Sequence, residues 1–317
     1  LPEKLIIDAD PGIGDAVAIA LALLDPEIEV IGLTAVAGRT SGENATRNLQ
    51  TLVSLLDPDR WPRIGCGEGP AVPVPKEPGT PNPVIMNGPS GLGDCESFTV
   101  GLHQRHESPK LLAELVKAEP HEITLLTLGP LTNVELARDW HPDFLTDLKG
   151  LVCLGGAVAD GGDVTAAAEF NIFADPESAR DVLTSPATKT LVPRDIASRF
   201  MLSFESYDRF GLDETTRLGR LLEHTVPFAL RASRQHLGRE GTELPELVAV
   251  AAISQPRLFE RTAMSLDIEL SGELTRGMTV FDRRDVSRWQ TNIDVLTAVD
   301  IQGVLDYMTR IIRTQGG

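Results

Sequence analysis

Three aspartates crowd the segment Asp8-Ala9-Asp10-Pro11-Gly12-Ile13-Gly14-Asp15. The apolar run Lys4-Leu5-Ile6-Ile7 before it reads as a buried strand, and Ala16 to Leu24 after it reads as a buried helix. The carboxylates therefore belong to a strand-to-helix turn, where ligands gather in open α/β sheets. Like charges this close repel one another and call for a neutralising group. Oxygen donors of this kind suit a hard cation, Ca²⁺ or Mg²⁺. The plainer reading is that Asp10 or Asp15 caps the helix, with Pro11 and Gly12 shaping a tight turn. Three carboxylates in eight residues exceed what capping needs.

Two further stretches place polar groups beside buried runs. Leu128-Gly129-Pro130-Leu131-Thr132-Asn133 follows the apolar strand Ile123 to Leu128 and opens a helix. Its position at another strand end brings backbone carbonyls toward the acidic turn, although Thr132 or Asn133 could equally be a cap. Gly161-Gly162-Asp163 leads into Ala168-Glu169-Phe170-Asn171 and then Ala174-Asp175-Pro176-Glu177. Asp163, Glu169 and Asn171 offer acceptors and an amide suited to sugar hydroxyls, whereas Asp175 reads as a helix cap.

The elements that position these groups alternate. Ile28 to Ala35, Ile123 to Leu128, Leu151 to Leu154 and Thr188 to Val192 read as strands; Ser41 to Leu56 and Glu177 to Leu183 read as helices. This alternation predicts a mostly parallel, Rossmann-like α/β sheet with helices on both faces. Two stretches break it. Gly67 to Gly93 is rich in Pro and Gly and long enough for a lid or an excursion. Phe200 to Leu237 is charged and amphipathic and reads as a helical cap on the same domain. No repeat or linker divides the 317 residues, so one domain, 1–317, is expected.

Composition narrows the function. Acidic residues outnumber basic ones 46 to 29, for a formal net charge of -17, and no basic stripe suggests nucleic-acid binding. No apolar run reaches the ~18 residues of a membrane span. Cys66, Cys95 and Cys153 lack metal-ligand spacing and read as inert, Cys153 within a core strand. Cytoplasm is the expected compartment; a start at Leu1 is equally compatible with a cleaved secretory signal.

The acidic turn, the Leu-Gly-Pro-Leu-Thr-Asn stretch and the Ala-Glu-Phe-Asn block, in this order, resemble the inosine-uridine-preferring nucleoside hydrolases. Asp267-Ile268-Glu269-Leu270 and Thr275-Arg276-Gly277-Met278-Thr279-Val280 extend the likeness over nearly the whole chain. The resemblance implies a single α/β domain with a mixed, mainly parallel sheet, assembled as a homodimer or homotetramer. It implies Ca²⁺-dependent hydrolysis of the N-glycosidic bond of a ribonucleoside or related riboside, in purine and pyrimidine salvage. By the same resemblance, Asp10 is the catalytic base and a metal ligand. Asp15, the Leu128 carbonyl and Glu246 complete the metal set, and Asp8 orients its neighbours. Glu169 and Asn171 hold ribose hydroxyls.

The chain departs from the family pattern at several positions. Gly14 stands where the first of two paired aspartates belongs. Arg39 replaces an Asn; it is expected to pair with Asp10 or Asp8, to hold an anionic substrate group, or to point to solvent. Asp163 replaces an Asn at the sugar's 5′ end, and Asn87 stands where many members carry His. Pro245-Glu246 falls where the family has His-Asp; Pro245 cannot protonate a leaving base, and Glu243 is a fallback ligand. His236, with Arg231 and Arg234, reads as a solvated helix face with the pocket as the alternative. These changes leave two other outcomes open: a nucleoside binder with little turnover, or a hydrolase for a phosphorylated or carboxylated riboside.

Overall fold

The protein is described by a computed structural model covering residues 1–75, 83–96 and 106–314. The chain forms strands β1 (Glu3–Ala9), β2 (Ile28–Ala35), β3 (Arg63–Cys66), β4 (His106–Glu107), β5 (Ile123–Thr127), β6 (Gly150–Leu154) and β7 (Lys189–Val192). Then follow β8 (Met201–Ser203), β9 (Gly241–Glu243), β10 (Phe259–Met264), β11 (Leu266–Ile268), β12 (Thr279–Phe281) and β13 (Ile293–Val299). Nine of these make one sheet in the order β10-β13-β7-β6-β5-β1-β2-β3-β4. Every pairing is parallel except β10 with β13. The mixed, mostly parallel sheet expected from the alternation is therefore present.

The apolar runs follow from burial on both faces, the usual condition of parallel strands. Along β1, Leu5, Ile7 and Ala9 enter one core cluster, with the helices Ile13–Leu24 and Pro245–Ser254. Ile6 enters the other, with the helices Ser108–Ala118 and Thr132–Trp140. Strand order runs outward from β1 through β2 to β4, and in the opposite direction from β5 through β6 to β7. The order thus reverses between β1 and β5, which places a crevice at their carboxyl ends. Asp8 pairs in register with Thr34 on one side and Thr127 on the other, so the acidic turn leaves the sheet at that crevice.

The stretch Phe200 to Leu237 is not helical throughout. It starts with β8, which pairs antiparallel with β9, and continues into the helices Phe204–Asp208 and Arg217–Leu237. The β8–β9 ribbon ties the 21-residue helix back to the start of Pro245–Ser254. Of the excursion Gly67 to Gly93, residues 76–82 lie outside the described residues; the returning limb contains the short helix Pro83–Asn87. Cys153 is buried in β6, as expected, and Cys66 and Cys95 are half-buried. Among the described residues, no helix is long and apolar enough to cross a membrane.

Candidate active site

At the crevice lies a cavity of about 550 Å³ lined by the acidic turn, the returning limb of the excursion, the Gly-rich loop and the start of Pro245–Ser254. Asp10, Asp15, Leu128, Glu169, Asn171, Asp163, Asn87, Arg39 and Glu246 all line it. Asp8 lies behind them, fully buried.

The floor is built from the first strand outward. Asp8 accepts from Thr34 Oγ1 at 2.6 Å and from Asn133 Nδ2 at 2.8 Å, while its Oδ2 is buried without a partner. Asn133 also donates to the Ala35 carbonyl, fastening the second stretch to β2. Neither Thr132 nor Asn133 caps the helix they open: Asn133 serves Asp8, and Thr132 donates to Asp175 Oδ2. Asp10 accepts the Arg39 backbone N–H at 2.5 Å through Oδ2. Its carboxylate fits between Gly38 and Gly129; a Cβ at Gly129 would stand 2.7 Å from Oδ1, and one at Gly38 2.6 Å from Cγ. Asp15 does cap its own helix, accepting from Gly12 N through Oδ2 at 2.9 Å. That duty leaves Asp15 Oδ1 buried and unpartnered. Glu246 Oε2 is likewise buried and unpartnered. The simple capping explanation therefore accounts for half of the Asp15 carboxylate.

Burial dominates the electrostatics of this floor. It pushes Asp8, Asp10 and Glu246 up to about 7. Burial, and after it the charge of Glu246, raises Asp15 well above the usual carboxylate range. The Arg39 charge offsets this only in part at Asp10, Asp15 and Glu246, so the floor still favours a further positive charge. The donors are all oxygen, the class that hard cations take. Among the described residues, no three His, Cys, Asp or Glu side chains stand together as a ready-made metal cage. An ion here would find the two orphaned oxygens of Asp15 and Glu246 and complete its shell with Asp10, the Leu128 carbonyl and ligand oxygens.

The wall is different in kind. Glu169 caps the helix Phe170–Ala174, accepting from Asn171 N, Ile172 N and Gly156 N. Burial, with Asp163 beside it, pushes Glu169 up to about 7. The Asn171 amide donates to the Leu128 and Leu154 carbonyls at 2.8 and 2.9 Å, joining the ends of β5 and β6. Asp163 accepts from Phe170 N and from the Arg39 guanidinium, each at 2.8 Å. Arg39 thus pairs with Asp163 and not with Asp10 or Asp8, and it stacks 4.1 Å above the Phe170 ring. Asn87 accepts the Ile13 N–H at 2.9 Å, so the excursion closes over the helix start. The fallback ligand Glu243 turns to Arg239.

Several contributors carried no local signal. Gly38 and Gly129 make room for Asp10, and Asp195 accepts three backbone N–H groups from Val158 to Asp160, fixing the Gly-rich loop that leads to Asp163. Arg194 and Arg239 also line the cavity. No described histidine lines it; His236 is exposed on its helix, and Arg231 and Arg234 pair with Asp94 and Glu240. His103 lies outside the described residues.

Comparison with known proteins finds relatives along nearly the whole chain. The family model described as inosine-uridine preferring nucleoside hydrolase matches residues 5–306. Uridine nucleosidase 1 of Arabidopsis thaliana is 34% identical over 316 residues, covering 96% of this chain and 92% of that protein. Non-specific ribonucleoside hydrolase RihC of Salmonella agona is 31% identical over 311 residues, covering 97% and 96%. A solved plant nucleoside hydrolase, the PpNRh1 enzyme, superposes with a TM-score of 0.86 at 27% identity, over 98% of this chain and 99% of that one. The purine-preferring ribonucleoside hydrolase from Gardnerella vaginalis does so with a TM-score of 0.87 at 25% identity, over 98% of each chain. The chain therefore belongs to the inosine-uridine preferring nucleoside hydrolase family and is an enzyme that cleaves N-glycosidic bonds.

Proposed function

We propose that the protein hydrolyses a neutral ribonucleoside to ribose and free base, with Ca²⁺ bound at the floor of the cavity. The observation that carries the cation is the pair of orphaned, buried oxygens, Asp15 Oδ1 and Glu246 Oε2, in a cavity also lined by Asp10. Neutrality of the substrate follows from charge. Among the described residues, six carboxylates line the cavity, Asp10, Asp15, Asp163, Glu169, Glu243 and Glu246, against three arginines. Two of those arginines, Arg39 and Arg239, are already paired to acids. A phosphorylated or carboxylated riboside would meet repulsion here.

When bound, Ca²⁺ supplies the Lewis acidity that acidifies a water and grips sugar hydroxyls. Asp10, Asp15, Glu246 and the Leu128 carbonyl are the groups assigned to hold it. Asp10 Oδ2 is occupied by the Arg39 N–H, so Oδ1 receives the proton of the water that attacks C1′. The C1′–N bond breaks, its electron pair leaves with the base, and the base takes up a proton from solvent. The carboxylates around the sugar favour the positive charge that develops on it. Asp163, Glu169 and Asn171 shape the sugar side, and the apolar face of Val84, Met86, Ala229 and Leu237 receives the base.

The test is release of free ribose from a panel of ribonucleosides and their 5′-phosphates, with Ca²⁺ and with chelator. Release from uncharged nucleosides that chelator abolishes is expected. Undetectable release together with measurable nucleoside binding would favour a binder, the reading suggested by the lack of a described histidine in the cavity. A preference for the 5′-phosphate would overturn the charge argument.

A further inference from the structure

Gly14 has no conformational reason to be glycine. It sits in the first turn of the helix Ile13–Leu24, and it is not among the glycines with positive φ. Glycine inside a helix is unfavourable relative to alanine, so the position needs another explanation. The explanation is spatial. A Cβ at Gly14 would collide with Glu246 Oε2 and stand 2.6 Å from Glu246 Cδ and 2.9 Å from Oε1. The whole Glu246 carboxylate thus occupies the volume that a side chain at 14 would fill. Glu246 reaches it from the first turn of Pro245–Ser254, where Pro245 opens the helix. The oxygen that lies deepest over Gly14, Oε2, is also the one left without a partner.

We infer that Gly14 is a positioning residue: its missing side chain admits the Glu246 carboxylate to the floor beside Asp15, and residues 14 and 246 together set the cation affinity of the site. This rests on the cation reading proposed above. The length of the two side chains is the shared variable. A methyl group at 14 displaces a glutamate at 246, and an aspartate at 246, shorter by one methylene, withdraws from the collision. The atoms in conflict form the far end of a flexible side chain, so the substitution moves the carboxylate and leaves the fold in place.

Calorimetric titration with Ca²⁺ alone tests the inference on the intact chain. Gly14→Ala should weaken Ca²⁺ binding by at least about tenfold, the scale of losses when a group that positions a metal ligand is removed. Its melting temperature in chelator should stay at or above that of the parent protein. Adding Glu246→Asp to Gly14→Ala should restore most of the affinity. Glu246→Gln, which keeps the shape and removes the charge, should lose binding with Gly14 intact. Unchanged affinity in Gly14→Ala would overturn the inference and leave the proposed function standing; so would failure of the double variant to recover. A parent protein that binds no Ca²⁺ would remove the cation reading and this inference with it.

Discussion

The floor and the wall of the cavity are both acidic, and they differ in how their oxygens are satisfied. On the wall, Glu169 serves three backbone N–H groups and Asp163 joins a backbone N–H to a guanidinium. On the floor, Asp8 Oδ2, Asp15 Oδ1 and Glu246 Oε2 have no partner among the described residues. Unpaired buried carboxylates are unfavourable and persist where a ligand completes them. The wall is thus finished as folded, whereas the floor keeps oxygens open for the cation proposed above. Substitutions on the wall should register first in stability, and substitutions on the floor first in binding and turnover.

The sharpest contrast is expected from Asp10→Ala. Turnover should fall by roughly 10²–10⁴-fold, the usual range for loss of a positioned general base, with the melting temperature in chelator unchanged or raised. Full retained activity would show that another group takes the proton. Glu169→Ala should act in the opposite sense. Loss of this cap should destabilise the protein by about 0.5–2 kcal/mol, read as a lower urea midpoint, and a variant as stable as the parent would erase the distinction between wall and floor.

The floor should also impose a pH dependence. Asp8, Asp10 and Glu246 are pushed up to about 7 in the folded protein, against about 4 for free carboxyl groups. Between those values the folded state binds more protons than the unfolded one, so stability falls as pH rises through the window. In chelator, the melting temperature should drop from about pH 5 to about pH 8. Ca²⁺ should raise it more at the higher pH, where the carboxylates are charged. Equal shifts at both pH values would contradict a cation held by these groups.

Arg39→Asn probes the seam between the two regions. Its ion pair with Asp163 is about one-third exposed on each side, so stability should change by less than about 1 kcal/mol. Arg39 also lowers the basicity of Asp10 through its charge. Removing it should therefore raise turnover of inosine or uridine slightly, and a loss of turnover would assign Arg39 to substrate binding.

What the sequence made legible was local. The acidic turn, the strands beside it and the Glu169-to-Asp175 block are contiguous, so residue type and order were enough to place them at strand ends. Distant partners were not legible. Arg39 and Asp163 are 124 residues apart, and nothing near either one announces the pair; residue type alone leaves Arg39 to Asp10 or Asp8, to an anionic substrate group or to solvent. Asn133 looked like a cap because Asn commonly caps helices; only the parallel register of β1 with β2 and β5 carries it to Asp8. Glu246 and Glu243 are too near in sequence for residue type alone to separate them; in the fold Glu243 turns toward Arg239, whereas Glu246 lies over Gly14. Of the β8–β9 ribbon, the first strand, β8, lies within the amphipathic stretch and β9 just beyond it, and strands of three residues leave no period to detect.

Direct Ca²⁺ binding to the chelator-treated protein tests the central claim, that the floor is completed by a cation. Calorimetry near pH 8 should show a single site per chain, lost in Asp15→Asn, while Glu169→Ala keeps binding as long as it stays folded. No binding at millimolar Ca²⁺, or binding that survives Asp15→Asn unchanged, would contradict it.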